Sequence, residues 1–224
     1  MIHVNHIAVA TQNLYEAAAR LRSETGFGFY DGGWSEAGVG SKIVPLGEGS
    51  YLQLSSLVNA FALKDEANAG AKRLYESAAQ GDRFENLNLR VDTLEELERI
   101  GALHGMKPGH DEKRGRIRPS GEHIAVYGLT GGTPPAGMPN IYFFPDMTVH
   151  PSGQPVEPAY GLKRPLGIAS VEVGGTDAQM TAWIGSPASQ LPLRFNGKAP
   201  GIYSVAVKTE TGDITIQRRP STGA

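Results

Sequence analysis

Three stretches of the chain, residues 1–24, 84–105 and 166–185, alternate apolar and polar positions like a half-buried strand, then shift after a short polar step to the spacing of an amphipathic helix. The first strand reads His3-Val4-Asn5-His6-Ile7-Ala8-Val9, and the helix behind it carries Leu14, Ala18 and Leu21 as its apolar stripe. The second reads Glu85-Asn86-Leu87-Asn88-Leu89-Arg90-Val91 and leads to Leu94, Leu97 and Ile100; the third reads Ala169-Ser170-Val171-Glu172-Val173. At each junction a capping residue stands three places before a Glu or Gln: Asn13 with Glu16, Thr93 with Glu96, Thr176 with Gln179. That is the spacing of a reciprocal helix cap. The chain therefore reads as a repeat, and superposing the copies puts His6, Asn86 and Ser170 in one slot.

After the first helix, Gly26 is a stop signal, residues 27–30 read as a short strand, Asp31-Gly32-Gly33 as a turn and residues 34–40 as a loop. Lys42-Ile43-Val44-Pro45-Leu46 and Ser50-Tyr51-Leu52-Gln53-Leu54 form a hairpin across Gly47-Glu48-Gly49, which makes the unit βαβββ. The alanine-rich residues 57–81 read as one or more connecting helices. In the second unit Gly105 ends the helix, and further strands are expected at residues 123–129 and 140–144. The loops 108–121 and 130–139 are rich in Gly and Pro, and loops of that length in a compact domain are often functional. Residues 146–164 read as an irregular segment crossing the surface, and the third unit is shorter, with strands near residues 202–209 and 213–217.

Composition narrows the function. With 21 basic and 23 acidic residues, the net charge of −2 offers no electrostatic footprint for nucleic acid or an anionic membrane, so the expected partner is a small molecule or another subunit. The absence of cysteine excludes disulfides, thiolate catalysis and cysteine metal sites, leaving His, carboxylate or amide ligands for any metal. The first residues lack the charged stretch and apolar run of a signal peptide and no segment approaches membrane-spanning length, so a cytoplasmic protein is expected. Gly47-Glu48-Gly49 and Gly131-Gly132 precede no helix and lack the lysine spacing of a phosphate loop, so no nucleotide cofactor is expected. No Gly-x-Ser-x-Gly elbow is present, and nucleophilic hydrolysis has no support.

Several motifs in these units resemble the vicinal oxygen chelate superfamily and its glyoxalase-like branch. They are His6-Ile7-Ala8-Val9, Gly40-Ser41-Lys42-Ile43-Val44-Pro45-Leu46-Gly47, Tyr51-Leu52-Gln53-Leu54, Arg116-Ile117-Arg118-Pro119-Ser120-Gly121 and His150-Pro151-Ser152. The resemblance covers the first two units through about Ser152 and, more weakly, the third. With the repeat, it implies an α+β fold: tandem βαβββ modules, residues 1–57 and 83–147 joined by a helical connector at 58–82, form a cupped mixed β-sheet within residues 1–152. A third, degenerate module at 153–224 packs beside it. It further implies a divalent metal on the floor of the cup, held by His, Glu or Gln from the first and last strands of each module and polarising substrate oxygens. Carried over, the metal positions are His6 and Gln53 in the first module, and Asn86 and a position near Phe143 in the second. One imidazole and two amides make a weak donor set, which His123 or His150 would strengthen by turning into the cup.

Each candidate also has a plainer reading. His6 is either a hydrogen-bonded core histidine or a metal ligand and acid–base group, and Gln53, pointing away from Leu52 and Leu54, faces either the cup or solvent. His123 is either a strand-edge residue or a substrate contact. Arg116 and Arg118 either fork onto a substrate anion or tie their loop to Asp111 or Glu112. Trp34, Tyr51, Tyr142, Phe143 and Phe144 are divided between an aromatic wall of the site and the core, while His3, His104 and His110 read as exposed and without a role.

The expectation is a glyoxalase-like enzyme of lyase, isomerase or dioxygenase type, acting on a small oxygen-bearing organic molecule. His6 and Gln53 would serve catalysis and hold a divalent metal; Arg118, Trp34, Tyr51, His123 and Tyr142 would meet the substrate. The alternative is a binding protein that sequesters a small hydrophobic compound, which needs an apolar pocket with a few polar groups and no Lewis acid. A monomer or weak homodimer is expected, because the third module occupies surface on which a partner would dock.

Overall fold

The computed structural model describes residues 1–65, 68–110, 116–147 and 162–218. The first repeat becomes β1 (Ile2–Ala10), α1 (Leu14–Thr25), β2 (Tyr30–Ser35), β3 (Val39–Gly47) and β4 (Ser50–Leu57). A short 3-10 turn (Ala60–Lys64) and α2 (Ala69–Ala78) lead to β5 (Arg83–Val91), α3 (Leu94–Ala102) and β6 (Lys107–His110). The second repeat continues through β7 (Arg116–Ile117), β8 (His123–Ile124), β9 (Tyr127–Thr130) and β10 (Asn140–Phe143). The third consists of β11 (Pro165–Val173), α4 (Asp177–Ile184), β12 (Leu193–Phe195), β13 (Ile202–Thr209) and β14 (Ile214–Gln217).

All three helices start where the cap spacing places them. Asn13 Oδ1 accepts from the amides of Tyr15 and Glu16 at 3.1 and 3.2 Å, and Thr93 Oγ1 accepts from the Glu96 amide at 3.3 Å. The reciprocal bond is formed at the third, where Thr176 and Gln179 exchange both. Glu96 binds Arg99 instead at 2.8 Å, because a guanidinium is a stronger partner for a carboxylate than a backbone amide.

Two readings of the loops need correction. Residues 30–35, expected as strand end, turn and loop, form β2, because Tyr30 and Asp31 pair with Ile43 and Lys42 and a bulge at Gly32 bends the strand without breaking it. The single strand expected at 123–129 is two, β8 and β9, and the loop before it supplies β6 and β7. His150, Asp111 and Glu112 lie outside the described residues.

Ten strands form one mixed sheet in the order β6-β9-β10-β5-β1-β4-β3-β2-β7-β8. At its centre β1 and β5 run antiparallel with Ile7 opposite Leu87, so His6 meets Asn88 and Ala8 meets Asn86 symmetrically about that pair. Strands β4 and β10 lie parallel to β1 and β5 on either side, which makes the two modules mirror each other in strand order. Strand β8 ends the sheet on one side and β9 lies next to its other end, yet Ala125 and Val126 alone connect them. Three residue steps span roughly 10 Å, so the sheet rolls up until its ends nearly meet. The result is a cup.

Alternation sorts the two faces. Ile7, Val44, Leu46, Leu52, Leu54, Leu87 and Leu89 form the core with Ala17, Ala18 and Leu21 of α1 and Leu97 and Ile100 of α3. The inner face carries His6, Tyr51, Gln53, Asn86 and Asn88, and near the closing ends Ile124, Val126 and Phe144 form a second cluster with Tyr142 packed against it.

The third repeat makes its own sheet, β12-β11-β13-β14, which packs on the helix face, and Ile168, Val171, Val173, Val205 and Val207 join the same core. Ser170 sits opposite Ala206 in that second sheet, so the slot shared by superposition is not shared in space. The contact is polar as well as apolar. Trp183 Nε1 donates to Pro139 O at 3.0 Å, and Arg99 donates to Ile184 O at 3.0 Å. His104, read as having no role, donates to Trp183 O at 2.8 Å, so side chains of the second module satisfy carbonyls at the end of α4.

Candidate functional site

Two rows of side chains cross the floor of the cup, since directly paired residues share a face. One runs Tyr51 on β4, His6 on β1, Asn88 on β5 and Asn140 on β10. The other runs Tyr30 on β2, Ile43 on β3, Gln53 on β4, Ala8 on β1 and Asn86 on β5. His6, Gln53 and Tyr51 are thus brought together, with Gln53 a diagonal neighbour of His6.

A register shift between Val4 and His6 leaves Asn5 without a partner on β5. Such a bulge turns two successive side chains to one side. Asn5 Oδ1 lies 2.7 Å from His6 Nδ1 and accepts from Tyr51 Oη at 3.5 Å, while the Tyr51 ring stacks on the imidazole at 4.9 Å between centroids. With a carbonyl oxygen facing it, Nδ1 carries a ring proton. His6 is 8% exposed and Asn5 is 0% exposed. The sequence signal for this arrangement is the Asn5-His6 pair, two polar residues in succession inside an alternating strand.

The rest of the floor is amide and hydroxyl. Gln53 Nε2 donates to Ser55 Oγ at 3.1 Å, and Asn140 Nδ2 donates to Asn88 Oδ1 at 3.0 Å. Since Ala8 pairs with Gln53 and its symmetric counterpart Asn88 pairs with Asn140, the residue symmetric to Gln53 is Asn140 rather than one near Phe143. Phe143 pairs with Val91 and Tyr127 and packs against the main core, on the helix face. The positions to which the resemblance assigns a metal become His6, Gln53, Asn86 and Asn140: one imidazole and three neutral amides. Among the described residues no three His, Cys, Asp or Glu side chains gather as a metal group. One imidazole with three weakly donating amides does not fit a tightly held divalent ion.

The remaining candidates divide by register. Tyr142 pairs with Arg90 on the inner face and its ring lies 6.1 Å from that of Phe144. Trp34 and His123 both pair with Ile117, and Trp34 also with Gly40, whose missing side chain would meet Leu14 of α1. That row lies on the helix side, away from His6, and Trp34 is 45% exposed. Arg118 donates to Glu122 at 3.1 Å and stands close enough to Tyr30 to pull its phenol down, against the larger effect of burial, which pushes it up to about 12.

Arg90 went unnoticed in the sequence although its alternation with Leu89 and Val91 points it inward. It donates to Asp92 at 2.8 Å, and the same carboxylate receives His3 at 3.1 Å and the Met1 amino group at 3.4 Å. Burial would raise the Asp92 carboxyl, but His3 and the amino terminus outweigh it and hold it below the usual carboxylate range. A separate cleft of about 360 Å³ lies on the helix face between α1, the start of β5 and β14.

The glyoxalase-like domain family matches residues 4–189. No curated protein matches the chain. Among solved structures, a hypothetical protein from Staphylococcus aureus superposes with a TM-score of 0.61 at 11% identity, over 96% of this chain and 84% of that one, a likeness of fold alone. Methylmalonyl-CoA epimerase from Mycobacterium tuberculosis gives 0.43 at 17% identity, over 63% of this chain and 86% of its own. The Streptomyces coelicolor methylmalonyl-CoA epimerase in complex with 2-nitronate-propionyl-CoA gives 0.43 at 19% identity, over 63% and 95%. With both halves of the cup and α4 inside the matched region, the chain belongs to the glyoxalase-like domain family.

Proposed function

We propose that the cup binds a small oxygen-bearing organic molecule and that His6 exchanges a proton with it. The observation that carries this is the 2.7 Å contact of His6 Nδ1 with Asn5 Oδ1 on the inner face. It orients the ring with Nδ1 toward the protein and leaves Nε2 as the nitrogen that exchanges a proton with the ligand, the geometry that general acid–base catalysis needs. Tyr51, Gln53 and Asn86 supply neutral hydrogen-bonding groups to orient ligand oxygens, and no step requires a divalent ion. Proton abstraction beside a carbonyl is the step that lyase and isomerase chemistry share. Among the described residues no helix is long and apolar enough to cross a membrane. The proposal places the protein in the cytoplasm as a monomer or weak homodimer.

A second reading, binding without chemistry, is favoured by the apolar cluster of Ile124, Val126 and Phe144 beside Tyr142. Deuterium wash-in separates the two. Incubated in deuterium oxide with hydroxyacetone or pyruvate, the protein is expected to exchange hydrogens on the carbon next to the carbonyl, and His6→Ala to slow this by about 100-fold or more. Binding without exchange supports the sequestering reading. Exchange equal in both proteins, or no binding, contradicts the assignment of His6.

A further inference from the structure

Sheet edges in this fold differ in how they are guarded. The two sheets end on β6, β8, β12 and β14. Natural edges avoid stray pairing by being very short or by carrying a charged side chain or a proline. Strand β6 has Lys107 and Pro108, β12 has Arg194, and β8 is two residues long. Strand β14, Ile214-Thr215-Ile216-Gln217, has no charged residue and no proline.

Pairing with β13 aims its backbone. Just beyond the strand the Arg218 amide donates to Tyr203 O at 2.8 Å, and in an antiparallel ladder every second residue turns the same way. Ile214 and Ile216 therefore bond to β13, while the amide and carbonyl groups of Thr215 and Gln217 point to the open side. Both residues are exposed, and among the described residues no further strand pairs with them.

The open side is one wall of the cleft of about 360 Å³, which β14 lines along its whole length. Helix α1 is the facing wall, through Ala17, Leu21 and Thr25, and the floor is the paired row of Leu54, Val9 and Phe84. Phe84, Ile214 and Ile216 are half-buried, so apolar surface is reachable from solvent. Around the rim Arg20 pairs with Asp82, but Arg83 donates to the neutral side chain of Gln80 and Arg218 lies 5.6 Å from the centre of the Tyr203 ring. The guanidiniums of the cleft thus outnumber the carboxylates of Glu24 and Asp82.

We propose that this cleft is a peptide-binding site, separate from the cup. Its occupant is an extended segment with apolar residues at alternate positions and an acidic residue, which adds a strand to the edge of β14. The segment's backbone bonds to Thr215 and Gln217, its apolar side chains descend toward Leu21 and Phe84, and its carboxylate faces the surplus charge of Arg83 and Arg218.

The probe is acetyl-Glu-Val-Thr-Val-Ser-Val-Glu-amide, titrated into the full chain and followed by nuclear magnetic resonance and amide hydrogen exchange. The Thr215 and Gln217 amides are expected to shift and to become protected. Two further probes, N-methylated at the valines or at the threonine and serine, keep every side chain and each lose one hydrogen-bonding edge. One of the two is expected to bind at least about tenfold more weakly. Lysines in place of the glutamates are expected to weaken binding by a similar factor. Gln217→Pro removes an outward amide, leaves the β13 ladder whole and is expected to abolish the protection of Thr215. Should that variant fail to fold, the methylated probes carry the test on the unaltered protein. Equal binding of the parent and both methylated probes marks the cleft as a slot for any apolar chain and overturns the inference. So do absence of binding, shifts confined to the cup, and protection of Thr215 and Gln217 that rises with protein concentration alone, the mark of a second copy on this edge.

Discussion

At the scale of single residues, the account turns on how Asn5 reaches the side of His6. Two successive polar residues in an alternating strand are visible in the sequence. Which of them swings is decided by pairing with Leu89 and Asn88 on a distant strand, and that is not. With isotope-labelled histidine, His6 is expected to show the tautomer protonated at Nδ1, and Asn5→Ala to release it to a mixture. Lys42 shows a different limit, because its place in an apolar hairpin gives no hint that its side chain is only 4% exposed. Its ammonium lies 2.6 Å from Asp31 and 3.7 Å from the centre of the Tyr15 ring. Removing its partner strands the charge, so Asp31→Ala is expected to lower stability by about 1–3 kcal/mol in denaturant melts, and Lys42→Met by less. Burial pushes Tyr30 from 10.0 up to about 12. The folded state then holds that proton more tightly than the unfolded chain, so the Tyr30 contribution is whole below pH 10 and is lost as pH rises toward 12. Tyr30→Phe is expected to flatten the fall of the urea midpoint across that window.

Among elements, the features set by local chemistry are the ones that sequence spacing places correctly. Asn13, Thr93 and Thr176 cap α1, α3 and α4, because a cap depends on residues three places apart. Thr176→Ala is expected to cost about 1 kcal/mol in thermal melts, whereas Glu96→Ala removes an ion pair with Arg99 and leaves the Thr93 cap intact. Strand β7, and the break that separates β8 from β9, were not legible for the opposite reason. Two-residue strands owe their existence to the edge of β2, where Trp34 and Ser35 pair with Ile117 and Arg116. Alternation reports the period of a strand and not its partner, which is why Trp34 and His123 read as cup residues and stand on the other face.

For the whole molecule, the repeat read in the sequence reappears as three strand–helix units, and the symmetric pairing of β1 with β5 brings positions 6 and 86 onto one floor. The joint with the third repeat was not foreseen in detail, because it is made by backbone proximity. A side chain on Gly47 would stand 2.6 Å from the Gly167 amide nitrogen, and its φ of 87° is one that L-residues avoid. Gly47→Ala is therefore expected to lower stability by about 1–3 kcal/mol, more than loss of a helix cap, and to raise hydrogen exchange in β11. The central claim, that the cup formed by the first two modules receives an oxygen-bearing molecule over His6, is tested most directly by titrating pyruvate into protein with labelled histidine. A saturable shift of the His6 ring nitrogens, with His104 at the α4 joint unmoved, is the result expected. Binding that leaves His6 unchanged contradicts the account.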